Sequence, residues 1–282
     1  MDRSDKTILV IGATGQQGGG AVTHLFADGW HLRALARNPD SPAAQMLVSA
    51  GVELATGDLL DRDSLDRAVE GAYGVFSMQT PGQNPDAEET EGKNIADAAA
   101  AAGVRHFVYD SVEGAEVESA MAWVAPKHRI EEHIRQLELP ATIWRPVSFM
   151  ENYLRQRDGI LGGKLVSPLW PESMSYVIAL DDIGRFVALA FREPDRFIGT
   201  SMAIGGDAMT MTEAAETFSS TLGIPVEFEH AEMEWIPTPP RPVPGETQHV
   251  RADIAACREL LPEMTTLAQW IERAGWRDLV VR

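Results

Sequence analysis

Apolar and polar positions alternate through the first half of the chain in a repeating strand–helix rhythm. Thr7-Ile8-Leu9-Val10-Ile11 reads as a buried strand, a helix follows from about Gly18 to Ala27, and His31 to Arg37 gives a second strand. The pattern repeats with a helix near Pro42 to Ala50, a strand at Val52 to Ala55, a helix near Asp61 to Glu70 and a strand at Gly74 to Met78. A helix from Ala87 to Ala102, a strand from Val104 to Ser111, a helix from about Lys127 to Leu137 and a strand from Ala141 to Pro146 complete it. Gly29, Gly51, Gly71 and Gly103 sit where each helix should stop. Six strands separated by helices predict an α/β fold with a doubly wound, mostly parallel sheet and ligands at the carboxyl edge of its strands.

Beyond Phe149 the rhythm weakens. Gly159 to Met174 is rich in Gly, Pro and Trp, and Pro237 to Pro244 carries five prolines, so both read as ordered loops. Asp181 to Phe191 reads as a sheet-packing helix and Ser201 to Ile204 as an apolar strand. The expected organisation is a sheet domain of residues 1–150 with 177–205, and a smaller C-terminal lobe of 151–176 with 206–282 for a substrate or partner.

Composition narrows the classes. The chain of 282 residues is 44% hydrophobic and 23% charged, which is ordinary globular material. Its 42 acidic against 24 basic residues give a formal charge of −18, which argues against nucleic acid and anionic membrane surfaces as partners. One cysteine, Cys257, allows no internal disulfide, and no His/Cys cluster stands at metal-ligand spacing. The single cysteine predicts a reducing compartment, the cytoplasm, and the polar start and lack of a long apolar run predict no targeting or membrane segment; monomer and homodimer stay open.

The candidate chemistry begins after the first strand, where Gly12, Thr14, Gly15, Gln16, Gln17 and Gly18 form a G-x-x-G-x-x-G turn leading into a helix. Such a turn lets backbone N–H groups approach a pyrophosphate, and the helix N-terminus attracts the anion. The second strand ends in Ala36-Arg37-Asn38, with a guanidinium rather than the carboxylate that would hold a ribose 2′-hydroxyl. This favours NADP(H) over NAD(H). The other strand ends supply Asp58 with Leu59, Met78 with Gln79, Ser111, and the stretch to Asn152. Asp58 reads either as an acceptor for the adenine amino group or as a helix cap, and Ser111 as a site serine or a capping residue. Lys127 reads either as a cofactor contact or as a solvated lysine on a first helical turn.

With these residues in view, the chain resembles the NmrA-like branch of the atypical short-chain dehydrogenase/reductases. The resemblance rests on Gly12 to Gly19, Arg37-Asn38-Pro39, Gly57-Asp58-Leu59, Lys127 with Ile130-Glu131-Glu132, Ile143-Trp144-Arg145-Pro146 and Phe149-Met150-Glu151-Asn152. Leu267 to Trp276 also looks like the family's last helix. The resemblance implies a Rossmann domain that prefers NADP(H), in a family that includes quinone and dye reductases as well as redox sensors that act through a protein partner.

The wider superfamily pairs a tyrosine with a lysine four residues on, and this chain departs from that pattern. Tyr73, Tyr109, Tyr153 and Tyr176 are followed at that distance by Ser77, Glu113, Arg157 and Leu180. Two readings stand. One is a reductase in which Lys127, Ser111 and Asn152 serve hydride transfer to a small apolar, aromatic or conjugated acceptor held by Phe149, Met150, Trp170 and Met174. The other is a non-catalytic NADP(H) sensor with a regulatory protein partner, in which loops 80–90 and 159–175 move with occupancy.

Overall fold

The computed structural model describes residues 3–80, 85–119, 121, 123–232, 238–243 and 251–280. The chain divides into two compact units, Met1–Pro146 with Ile183–Ala203, and Val147–Asp182 with Ile204–Arg282. Each unit has its own core. Parts of loop 80–90 and of the proline-rich 237–244 stretch, including Pro237 and Pro244, lie outside the described residues.

In the first unit, β1 (Thr7–Val10), α1 (Gln16–Ala27), β2 (His31–Ala36), α2 (Pro42–Ser49), β3 (Glu53–Thr56), α3 (Arg62–Val69), β4 (Ala72–Ser77), α4 (Pro85–Ala102), β5 (His106–Asp110), α5 (Ala125–Gln136) and β6 (Ala141–Pro146) follow the expected alternation. Every pairing among β1 to β6 is parallel, because each return is made by a helix that carries the chain back across the sheet. The strand order 3-2-1-4-5-6 reverses between β1 and β4, where a doubly wound sheet opens a crevice for ligands. Leu9, Ile11, Val75, Phe107, Tyr109 and Ile143 join the apolar faces of α3, α4 and α5 in one core.

The second unit opens with the two-residue β7 (Ser148–Phe149), then α6 (Arg157–Leu161), β8 (Lys164–Ser167), β9 (Met174–Ile178) and α7 (Leu180–Arg192), the last of which carries the chain into the first unit. After α8 (Pro194–Phe197) comes β10 (Ser201–Ile204), at the outer place of the seven-stranded sheet beside β6. Then β11 (Asp207–Thr210), α9 (Met211–Leu222), β12 (Glu227–His230), α10 (Ile254–Leu260), α11 (Leu267–Arg273) and α12 (Arg277–Val280) complete it. Sequence periodicity placed only a loop at 159–174, whereas β8 forms there and pairs in parallel with β12 from Lys164↔Glu227 to Ser167↔His230. The unit boundaries also fall earlier than expected at Pro146/Val147 and later at Asp182/Ile183, because β9 pairs with β7 and β11 instead of joining the large sheet.

Candidate functional site

The glycine turn after β1 is shaped by close approach. Gly12 takes φ +71°, and a Cβ there would lie 2.6 Å from the Met78 sulfur. A Cβ on Gly18 would meet the Gly12 carbonyl oxygen at 2.2 Å, so only glycine allows α1 to pack onto the turn. Gly15 is the N-cap of α1 and offers no side-chain cap, while Thr14, Gly15 and Gln16 are exposed. The amides of the first helical turn therefore depend on something other than an intrahelical partner, and an anion meets that need.

At the end of β2, Arg37 is exposed and no ion pair holds its guanidinium among the described residues. It belongs to one electrostatic neighbourhood with Asp58 and Glu91: burial raises the Glu91 pKa, Asp58 raises it further, and Arg37 opposes them. The Asp58 carboxylate accepts from the Leu60 amide at 2.9 Å, and the Asp58 backbone N–H donates to Ser64 Oγ at 3.0 Å. The cap of α3 is Asp61. Leu59 packs on the core, and its carbonyl accepts from Asn94 Nδ2 at 2.9 Å.

A second cluster forms where β4 and β5 end. Lys127 is only 5% exposed. Its ammonium lies 3.0 Å from Glu88 Oε1, donates to the Gln79 carbonyl at 2.7 Å, and stands 5.7 Å over the Tyr109 ring. Neither sequence reading of Lys127 anticipated this state, a buried cation already compensated by a buried carboxylate. Gln79 is itself buried and donates from Nε2 to Ser77 Oγ at 3.0 Å. Asp110, the last residue of β5, accepts from Gln17 Nε2 at 2.6 Å. Burial pushes the Asp110 carboxyl up to about 7, against the opposing influence of Lys127. Burial also carries the Tyr109 hydroxyl well above its ordinary value.

Ser111 Oγ donates to Glu131 Oε1 at 2.6 Å. Glu131 is fully buried and is gripped by the Arg145 guanidinium at 2.9 and 2.6 Å, with Arg135 adding a bond at 2.7 Å. The structure thus brings the turn, Gln17, Met78, Gln79, Ser111 and Lys127 together at one sheet edge. Sequence reasoning missed Glu88 and Asp110 as members. A carboxylate closing the apolar run Phe107-Val108-Tyr109 was the available signal for Asp110.

The residues expected to hold a flat acceptor all lie in the second unit. Met150 is fully buried in that unit's core with Tyr153 and Phe218, whereas Phe149 and Met174 are half-buried. Trp170 stacks on His230 with centroids 4.0 Å apart, carries Arg241 at 5.2 Å, and donates from Nε1 to the Pro239 carbonyl at 2.8 Å. Asn152 is exposed and reaches Ser148 Oγ at 3.4 Å. Its neighbour Glu151 pins the unit internally, accepting from Trp270 Nε1 at 3.0 Å and from the Leu180 amide. Among the described residues no helix is long and apolar enough to cross a membrane, and no acidic, His or Cys group could hold a metal.

Comparison with known proteins gives the same lineage. The NmrA-like family pattern matches residues 4–271. A (4-alkanoyl-5-oxo-2,5-dihydrofuran-3-yl)methyl phosphate reductase of Streptomyces griseus is 34% identical over 224 residues, covering 79% of this chain and 76% of the relative. Among solved structures, the Citrobacter sp. triphenylmethane reductase complexed with NADP(H) superposes with a TM-score of 0.78 at 22% identity, over 95% of this chain and 99% of that one. NmrA, a negative transcriptional regulator in complex with NADP, does so with a TM-score of 0.80 at 23% identity, over 97% of each chain.

Proposed function

This chain belongs to the NmrA-like family, and from that premise we propose that it is an NADPH-dependent reductase passing hydride to an apolar, conjugated acceptor such as a quinone, a dye or an enone. One observation carries the reading: α1 opens on a glycine N-cap with no side-chain cap, on a turn where added Cβ atoms would collide, while Arg37 stands uncommitted at the end of β2. These features suit a pyrophosphate at the helix and a 2′-phosphate at the arginine. The Streptomyces relative, by its name, reduces an unsaturated five-membered lactone, which belongs to the enone class.

The dinucleotide supplies the hydride when bound. The Gly12–Gly18 turn and Arg37 hold its two phosphate regions, and Met78 and Gln79 line the edge beyond the turn. Lys127 fixes the Gln79 carbonyl at that edge as one half of a buried ion pair with Glu88. Ser111 has its proton committed to Glu131, so its oxygen presents lone pairs and acts as an acceptor. The Tyr109 hydroxyl is buried and its pKa raised, so it is not the activated phenol of the wider superfamily. Phe149 and Met174 retain apolar surface of the kind a flat acceptor needs, whereas Trp170 is stacked and Met150 is core.

The missing activated tyrosine favours one second reading, an NADP(H)-binding regulator that acts through a protein partner. A panel of quinones, triphenylmethane dyes and enones, followed by loss of NADPH absorbance, separates the two. Turnover with any acceptor class supports the reductase, and tight NADPH binding with no oxidation across the panel supports the regulator.

A further inference from the structure

Eight buried side-chain N or O atoms lack a hydrogen-bond partner among the described residues, and four of them, on Gln79, Glu88, Tyr109 and Asp110, belong to the cluster around Lys127. Three of these have an evident local account. Gln79 still donates to Ser77, Glu88 still faces the Lys127 ammonium, and a tyrosine hydroxyl can stay neutral at modest cost. Asp110 is different, because an ionised carboxylate with an unpartnered oxygen is expensive to bury.

Asp110 is 1% exposed, and its Oδ1 has no partner while Oδ2 receives only the Gln17 amide. The charged groups facing it are few. Lys127 on α5 is the cation that acts on it, and that cation is spent on Glu88 of α4. On β5 itself the flanking residues give no counter-charge: Tyr109 is neutral, and Ser111 has donated its proton to Glu131. Across from it, α1 contributes the neutral Gln17 from its first turn.

We propose that Asp110 is a positioning residue for the dinucleotide turn, holding Gln17 and with it the first turn of α1, and that a bound dinucleotide selects its uncharged form. This rests on the dinucleotide reading above. An ionised Asp110 would place a negative charge, through one side chain, behind the helix end that receives the pyrophosphate, so phosphate and carboxylate repel. With Asp110 protonated, the Gln17 amide still donates to the carbonyl-like oxygen, and the turn keeps its shape without the opposing charge. Burial already holds this carboxyl near neutrality, so the bound anion need shift its titration only modestly. NADPH binding is then linked to uptake of a proton by Asp110.

The experiment is calorimetric titration of the whole chain with NADPH from about pH 6 to about pH 8.5, in buffers of differing ionisation enthalpy, for the native protein and Asp110→Asn. The native protein is expected to bind about three- to tenfold more weakly at the alkaline end and to take up protons near neutrality, while Asp110→Asn loses both effects. Ionisation of the 2′-phosphate contributes equally to both proteins, so the difference between them isolates Asp110. If Asp110→Asn fails to fold, Gln17→Met serves instead, because removing the donor should move the weakening to higher pH. Equal pH slopes and equal proton uptake in native and variant proteins overturn the inference and leave the dinucleotide reading standing. Absence of NADPH binding at every pH sinks both.

Discussion

Lys127 and Glu88 form an ion pair of 3.0 Å with side chains only 6% and 1% exposed, so the charge carried to the sheet edge by α5 is neutralised from α4. The pair explains why a lysine on a first helical turn, where a cation is disfavoured, is retained inside the fold. It also makes Glu88 a determinant of the site although it touches neither the glycine turn nor Arg37.

Glu88→Gln should therefore destabilise the protein by about 3–5 kcal/mol, since it leaves a buried ammonium without its counter-charge. Denaturant unfolding of Glu88→Gln, Lys127→Met and the double variant measures this. The double variant should recover a large part of the loss, and simple additivity would show that the two side chains are not coupled.

A methyl group at Gly18 is expected to abolish tight NADPH binding, because its Cβ would stand 2.2 Å from the Gly12 carbonyl and either the turn or the start of α1 must move. Gly19→Ala is the control, as a Cβ there meets its nearest neighbour, the Ala13 carbonyl oxygen, at 3.6 Å. Fluorescence titration should find Gly19→Ala near native and Gly18→Ala weakened by more than about tenfold.

Acid stability should depend on His106, whose ring packs at a tilt against Phe191 with centroids 5.0 Å apart and bonds Thr142 Oγ1 at 2.7 Å. Burial lowers its pKa to about 4 from the ordinary 6.5, so the fold holds it neutral. The unfolded chain accepts the proton first; the stabilisation is present above about pH 6.5 and is lost as pH falls toward about 4. His106→Gln should remove about 2–3 kcal/mol of the loss between those limits. Parallel unfolding curves for the two proteins across that range would assign the acid limb elsewhere.

The first unit was legible in the sequence because β1, β4, β5 and β6 are largely buried and a glycine follows each of α1 to α4 within two residues; α1, α2 and α3 each run to within two residues of the expected ends. The second unit was not, because β8 is four residues long and finds its partner β12 about sixty residues later, a pairing that local periodicity does not encode. One local signal there was strong. Thr210 and Glu213 form a reciprocal capping box, and Gly223 ends α9 at φ +73°. At the candidate site the glycines and Arg37 could be read directly, since backbone shape and strand ends follow from the pattern. The state of Lys127 could not, because it depends on a carboxylate that α4 brings from thirty-nine positions away.

The central claim is that one anion-binding helix end and one arginine select NADP(H). Calorimetric titration of the native protein and Arg37→Ala with NADPH and NADH tests it most directly. The account predicts that the native protein prefers NADPH and that Arg37→Ala loses about tenfold to a hundredfold in NADPH affinity with NADH unchanged. Equal affinity of the native protein for the two coenzymes, or an NADPH preference that survives in Arg37→Ala, would contradict it.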